Sequence, residues 1–103
     1  MDYELIITEK AQDLLDDLVR YLLFERCSRQ AASHLLDSIQ EVYRRMQSAP
    51  YSFPLCDDSI LKRNGYRKAL LPDMSYVIIF LIEDRSIYIL GIFHELENYG
   101  VKL

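Results

Sequence analysis

Glycine, proline and cysteine are scarce in this chain of 103 residues, which has three, three and two of them. Half of the residues are apolar and 27% are charged, a composition that excludes a fibrous repeat and a disordered chain. Cys27 and Cys56 form no CxxC or Cys/His spacing, so neither a metal site nor any other cofactor is predicted. A glycine-rich phosphate loop, a dinucleotide fingerprint and a nucleophile triad motif are likewise missing.

Long apolar runs are also missing. The run Tyr76–Ile82 is far shorter than the roughly 18 residues that span a bilayer, so no membrane partner is predicted. Residues 1–4 are acidic where a signal peptide carries positive charge. We therefore expect a cytoplasmic protein whose two cysteines are reduced and serve packing.

Basic residues are fewer than acidic ones: the chain has twelve Lys and Arg and sixteen Asp and Glu, which gives a net charge of −4. This balance excludes a generally basic nucleic-acid-binding protein. The distribution is uneven, because residues 26–82 hold eight basic and five acidic residues, whereas the segments on either side are acidic. A local basic patch, or simply a solvated face, is predicted from four residues that fall within seven positions: Lys62, Arg63, Arg67 and Lys68.

Two amphipathic helices are predicted in the first half of the chain. Thr8 and Ser28 are suitable N-caps, because their hydroxyls can accept hydrogen bonds from free amides of the first turn. Apolar residues then recur with helical spacing over residues 11–23 and 32–46, and the second helix ends before Pro50. The short connection between the two predicts an antiparallel helical hairpin.

Four strands are predicted around the helices. Residues 3–7 precede the hairpin, and residues 66–71, 75–82 and 86–93 follow a segment, residues 50–65, whose turn-forming residues predict a loop. Short turns between the last three strands predict antiparallel pairing. The predicted fold class is α+β, in the order β-α-α-β-β-β, with the hairpin on one face of a mainly antiparallel four-stranded sheet in one domain spanning the chain.

The two longest strands are apolar on both faces, whereas one helical hairpin covers only one face. The second face therefore needs a cover. The candidates are the segment 50–65, the C-terminal tail, a second copy of the chain and a different protein. A face left open would be a binding surface.

Three strand sequences carry a resemblance to a known family: Tyr66–Leu70, Ser75–Phe80 and Ile87–His94. Together with the order of elements, they resemble the RelE/ParE superfamily, the toxins of bacterial type II toxin–antitoxin modules that are also called plasmid stabilisation proteins. The resemblance extends from Tyr3 to about Tyr99.

The resemblance implies a growth-arresting toxin that a cognate antitoxin binds and neutralises, by β-strand addition or by a helix in a groove. RelE-type members cut mRNA on the ribosome, which would make the protein a metal-independent endoribonuclease, or mRNA interferase. ParE-type members act on DNA gyrase as inhibitors without known chemistry of their own. A degenerate, non-toxic binding module is a further alternative, and the apolar sheet also allows a homodimer.

RNA cleavage without a metal needs groups that activate the 2′-hydroxyl, protonate the leaving oxygen and stabilise the phosphate. The candidates for a catalytic site of this kind are His94, Arg67, Tyr99 and Lys68. Arg67 and Lys68 are expected on opposite faces of their strand because side chains alternate. Each candidate also has a structural interpretation, as a hydrogen-bonded strand end, a packed aromatic or one half of an ion pair.

Two positions depart from the RNA-cutting pattern. Val77 follows Tyr76 where many active members have an arginine, and Glu97 lies three positions after His94 where many have a basic residue. An acidic chain is also a poor match for RNA phosphates. We therefore favour a ParE-like toxin acting on gyrase. Residues expected to bind the target or the antitoxin are Lys62, Arg63, Arg67, Phe93, Glu95 and Tyr99.

Overall fold

The computed structural model describes residues 2–103. Its helices and strands are β1 (Glu4–Ile7), α1 (Glu9–Arg20), α2 (Arg29–Ser48), α3 (Ser59–Arg63), β2 (Arg67–Leu70), β3 (Tyr76–Glu83) and β4 (Ser86–His94). A π-helical turn, Tyr21–Glu25, continues α1, and short 3-10 turns form at Pro50–Ser52 and Tyr99–Val101. The predicted α+β order is confirmed, but the prediction of a plain loop at 50–65 is wrong, because α3 lies within it.

Thr8 fixes the start of α1 and its position on the sheet. Its Oγ1 accepts a hydrogen bond from the Ala11 amide (3.2 Å), as an N-cap does. The same hydroxyl donates to the Ile89 carbonyl of β4 (2.7 Å). One side chain therefore caps the helix and joins it to the sheet.

The helical hairpin closes through the π-helical turn. The Arg26 amide donates to the Tyr21 carbonyl five residues earlier (3.1 Å), and Cys27 adopts a left-handed φ of +50° that ends the helix. The Ser28 hydroxyl then accepts from the Ala31 amide (3.0 Å) and starts α2. This reversal leaves the Phe24 side chain on the outside, 71% exposed.

The strands lie in the order β1-β4-β3-β2 in an open, mixed sheet. β3 pairs antiparallel with β2 and β4, whereas β1 pairs parallel with β4. The parallel pair arises because the helical hairpin crosses one face of the sheet between β1 and the following strands. Among residues 2–103, no helix is long and apolar enough to cross a membrane.

A bulge in β4 changes which side chains face the hairpin. Phe80 lies opposite Ile89 and Ile79 opposite Gly91, so Leu90 is an extra residue in the β3–β4 ladder. Because strand side chains alternate, one extra residue sends every later side chain of β4 to the other face. His94 thereby lies on the hairpin side, opposite Tyr76.

Each face of the sheet has its own apolar core. On the face covered by the helical hairpin, here called the helix face, the fully buried side chains include Leu35, Val42, Met46, Phe80 and Ile87. The opposite face, here called the second face, buries a smaller cluster made of Cys56, Leu61, Val77, Ile79 and Phe93.

The cover of the second face comes from the chain itself. Leu61 of α3 is buried in it, and Tyr99 and Leu103 of the tail pack against it. Of the four covers considered from the sequence, the segment 50–65 and the tail are thus the ones the structure provides. The two covers that would come from outside the chain, a second copy and a different protein, are not needed for these buried residues, because α3 supplies apolar cover that the turn-forming residues around it obscured.

Candidate functional site

A small cavity opens on the second face where β2 meets the tail. Its volume is about 200 Å³. We call it the β2–tail cavity, and it is lined by Asp57, Lys68, Leu70, Val77, Glu95 and Tyr99. Three of the residues predicted to act on RNA or to bind a partner therefore meet here: Lys68, Glu95 and Tyr99.

Lys68 is held by a carboxylate inside this cavity. It lies opposite Ile79 on the second face, and its Nζ donates to Asp57 Oδ2 at 2.7 Å. This hydrogen bond raises the pKa of Lys68 and lowers the pKa of Asp57. The ammonium is therefore charged but already partnered, and Asp57 competes with any phosphate that enters.

Tyr99 is stacked on the sheet. Its ring lies on that of Phe93, with centroids 5.6 Å apart and an interplanar angle of 26°. The pKa of the Tyr99 hydroxyl is raised mainly by burial and, to a smaller extent, by the neighbouring Cys56. The tyrosine is thus neutral at physiological pH, and its stacking holds the tail over Phe93, which is itself buried.

His94 lies on the other face of the sheet. Its ring meets the ring of Tyr76 edge-on at 5.8 Å, and its Nδ1 accepts a hydrogen bond from the Leu96 amide (3.1 Å). Its own amide donates to Glu97 Oε1 (2.9 Å). The pKa of Glu97 is lowered mainly by its bond to Lys102 and, to a smaller extent, by the hydrogen bond from the His94 amide. These bonds turn the chain sharply after β4.

Arg67 also points away from the cavity. It lies opposite Phe80 on the helix face, its Nη1 donates to the Phe53 carbonyl at 2.6 Å, and its guanidinium lies 5.0 Å from the centre of the Tyr51 ring. The predicted split of Arg67 and Lys68 between the two faces is confirmed. In this position Arg67 ties the segment after α2 to the sheet.

The four residues proposed for RNA chemistry therefore do not form one constellation. Lys68 and Tyr99 share the β2–tail cavity, whereas His94 and Arg67 lie on the helix face. The cavity pairs one cation with two carboxylates, so it is not a basic site for a phosphate. Within residues 2–103, no three His, Cys, Asp or Glu side chains are grouped to hold a metal ion.

Lys62 and Arg63, predicted to bind the target or the antitoxin, lie in the last turn of α3. Both are exposed, and this position is favourable for cations because the C-terminal end of a helix carries partial negative charge. Lys62 lies close enough to Asp57, which lines the β2–tail cavity, to contribute to lowering the pKa of that carboxyl group. Their binding role stays a prediction.

The sequence reasoning missed an apolar groove on the outside of the helical hairpin. We call it the hairpin groove. Its volume is about 370 Å³, and its lining residues from α1, the π-helical turn and α2 are Gln12, Leu15, Asp16, Val19, Arg20, Leu23, Phe24 and Leu36. The available signal was Phe24, an apolar residue outside the core-facing stripe of the first helix. The helical pattern places Leu36 within the core-facing stripe of the second helix, and this placement is wrong. Both are exposed in the structure.

The comparison with protein families identifies the chain. Residues 5–99 match the model of the ParE toxin of the type II toxin–antitoxin system, parDE. Because this match spans most of the chain, the protein belongs to the ParE toxin family, and the resemblance to the RelE/ParE superfamily is confirmed. No curated protein sequence matches the chain.

The fold matches that of a solved structure. A chain described as a chromosomal ParDE TA system from P. aeruginosa superposes with a TM-score of 0.69 and is 20% identical in sequence. The superposition covers 89% of this chain and 95% of that chain. At this identity the match establishes the shared fold.

Proposed function

We propose that this protein is a toxin acting in the bacterial cytoplasm that inhibits DNA gyrase by binding it, and that a cognate antitoxin silences it. The observation that carries the proposal is the separation of His94 and Arg67 from Lys68 and Tyr99 by the sheet. The chain belongs to the ParE toxin family, and its candidate residues for RNA cleavage do not come together in one site. Both observations support a toxin that acts by binding its target.

The antitoxin is proposed to dock in the hairpin groove. An exposed phenylalanine and leucine beside the half-buried Leu15, Val19 and Leu23 form an apolar trough between two antiparallel helices. A trough of this shape suits the apolar face of a third helix. Asp16 lines the groove and takes part in none of the ion pairs that join described residues, whereas the charge of Arg20, which also lines it, is offset by an ion pair with Asp17. We therefore expect basic residues along the edge of the antitoxin helix.

The antitoxin test uses two exposed apolar residues as a matched pair. The tagged toxin is co-expressed with the product of the reading frame beside its gene, and the complex is captured. Phe24→Asp, in the groove, should lower capture at least about tenfold, because it places a carboxylate in the apolar interface. Leu96→Asp lies in the turn after β4, is 89% exposed in the wild type and should leave capture unchanged. Equal capture of both variants would rule out the groove.

The mode of action is tested by induction in a bacterium without the antitoxin. The proposal predicts growth arrest with full-length transcripts, and it predicts that His94→Gln and Arg67→Ala arrest growth as the wild type does when each accumulates to the same level. Transcripts cut within codons, with loss of arrest in both variants, would instead favour the mRNA endoribonuclease. Folded protein that never arrests growth would favour the non-toxic binding module.

A further inference from the structure

Arginines and aromatic rings alternate along one edge of the helix face. Arg45 lies over the Phe53 ring at 5.1 Å, Arg67 lies over Tyr51 at 5.0 Å, and Arg85 lies over Tyr3 at 4.5 Å. The three pairs are joined in space, because Tyr3 meets Tyr51 edge-on at 6.5 Å and Arg67 bonds the Phe53 carbonyl at 2.6 Å.

This set of three arginines and three rings, which we call the Arg–aromatic edge, belongs to no site described above. Its members come from the start of the chain, α2, the segment 50–56, β2 and the β3–β4 turn. It lies on the opposite face from the β2–tail cavity, and none of its residues lines the hairpin groove.

Two of the three arginines, Arg45 and Arg67, keep their charge available. Arg45 and Arg67 take part in none of the four ion pairs that join described residues. Arg67 uses part of its fork on the Phe53 carbonyl, but a guanidinium has five N–H donors. Arg44, which precedes Arg45 on α2, is by contrast paired with Glu41. On an acidic protein, two unneutralised guanidinium groups at one edge are a distinct local feature.

One of the three rings, Tyr51, provides an open stacking surface beside these charges, whereas Phe53 is buried. Tyr51 is 61% exposed, although the Arg67 guanidinium lies over its ring. Nucleic-acid bases stack on an exposed aromatic ring or on a guanidinium plane, while arginines contact the phosphates between them. Stacking of this kind needs bases that are free of a complementary strand.

We propose that the Arg–aromatic edge binds single-stranded nucleic acid. A base stacks on Tyr51, and Arg45 and Arg67 contact the flanking phosphates. Arg85 follows Glu83 and Asp84 in its turn and is assigned to the rim of the site. The contact is independent of sequence, because none of these groups reads a base edge.

The binding test uses fluorescein-labelled oligonucleotides of about twelve nucleotides, a length within the range of known single-strand sites. Anisotropy is measured with single-stranded DNA, single-stranded RNA and the matching duplex, at salt concentrations from about 50 to about 200 mM. The proposal predicts binding to single strands at least about tenfold tighter than to the duplex. It also predicts a slope of log K against log salt of about −1.4, from two phosphate contacts.

Adjacent arginines provide the matched control. Arg45→Gln should reduce the salt slope by about 0.7, the value for one lost phosphate contact, whereas Arg44→Gln removes the same charge from an ion-paired position and should leave the slope unchanged. Tyr51→Ala should weaken single-strand binding about tenfold, and Tyr51→Phe should retain it. Circular dichroism of each variant confirms that the fold is intact.

Three results would overturn the proposal. They are no binding of the wild type to any oligonucleotide at the lowest salt, equal affinity for duplex and single strand, and equal effects of Arg44→Gln and Arg45→Gln. Because the assay contains neither gyrase nor antitoxin, its failure would leave the proposed toxin function untouched.

Discussion

At the scale of the residue, the bulge in β4 decides on which face of the sheet His94 lies, and so whether it can join the other candidate catalytic residues. His94 would share a face with Lys68 if β4 alternated without interruption from Ile87. The extra residue, Leu90, sends it to the helix face instead. A histidine that the sequence offers as a general acid or base is thereby a partner of Tyr76 and of the Leu96 amide.

Gly91 is the tightest position next to this bulge. A Cβ there would lie 2.7 Å from the Phe93 ring and 3.0 Å from Leu14 Cδ1, and this ring and the leucine of α1 are both held by packing. Gly91→Ala should therefore lower the free energy of unfolding by about 1–3 kcal/mol through overpacking, measured by urea denaturation. A Cβ at Gly100 would meet only the side chains of Asp58 (3.3 Å) and Asn98 (3.7 Å), so Gly100→Ala should stay within about 0.5 kcal/mol of the wild type. Equal stability of the two variants would contradict this packing.

The Lys68–Asp57 pair predicts a pH dependence of stability. The pKa of Asp57 is lowered, so its contribution is present above the ordinary aspartate pKa and is lost as the pH falls through the folded value. The pKa of Lys68 is raised, so its contribution is present below the ordinary lysine pKa and is lost as the pH rises through the folded value. The pair should stabilise the fold between about pH 4 and about pH 10.

Thermal unfolding of Asp57→Asn across this range checks the window. The variant should be less stable than the wild type near neutral pH, and the difference should disappear as the pH falls through the lowered pKa of Asp57. In a Lys68→Met background the same substitution should have a much smaller pH-dependent effect, because only the weaker contribution of Lys62 remains. A difference that persists unchanged in acid, or in that background, would show that the pair is not its source.

At the scale of the element, Thr8 determines how α1 joins the sheet. Thr8→Val keeps the shape of the side chain but removes both the cap of α1 and the bond to Ile89, so it should cost about 1–3 kcal/mol in the free energy of unfolding. Ser28→Ala removes a cap alone, that of α2, and should cost about 1 kcal/mol. Chemical denaturation of Thr8→Val, Thr8→Ser and Ser28→Ala measures the difference. A Thr8→Val variant as stable as Thr8→Ser would contradict the double role.

The elements themselves were largely predictable from the sequence. Helical periodicity and the two hydroxyl caps predict α1 and α2, and apolar runs between turn signals predict the strands. Three features were not predictable. α3 is only five residues long and lies among turn formers, the bulge depends on strand pairing, and the parallel β1–β4 pair joins residues about eighty positions apart.

The candidate sites depended on these unpredicted features. The sequence identified Lys68, Tyr99 and Glu95 as functional candidates, and they do share a cavity. Side-chain alternation along β2 predicted that Arg67 lies on the opposite face from Lys68, but the sequence could not place His94, because its face depends on the bulge in β4. The Arg–aromatic edge was also invisible, because its six residues are scattered from Tyr3 to Arg85 and meet only in the folded chain.

At the scale of the whole molecule, the protein has two filled sheet faces and three separate surfaces. The hairpin groove is mainly apolar with Asp16 and Arg20 in its lining, the β2–tail cavity is small and internally ion-paired, and the Arg–aromatic edge is cationic. The negative net charge of the chain therefore coexists with one surface suited to a nucleic acid and one suited to an amphipathic helix. None of the three combines a general acid, a general base and a phosphate clamp.

The central claim is that this member of the ParE toxin family acts by binding gyrase and not by cutting RNA. The most direct measurement is DNA supercoiling by purified gyrase in the presence of the purified protein, without ribosomes. The account predicts inhibition that rises with protein concentration and that is the same for the wild type and His94→Gln. Unimpaired supercoiling at every concentration, together with cleavage of ribosome-bound mRNA by the same preparation, would contradict it.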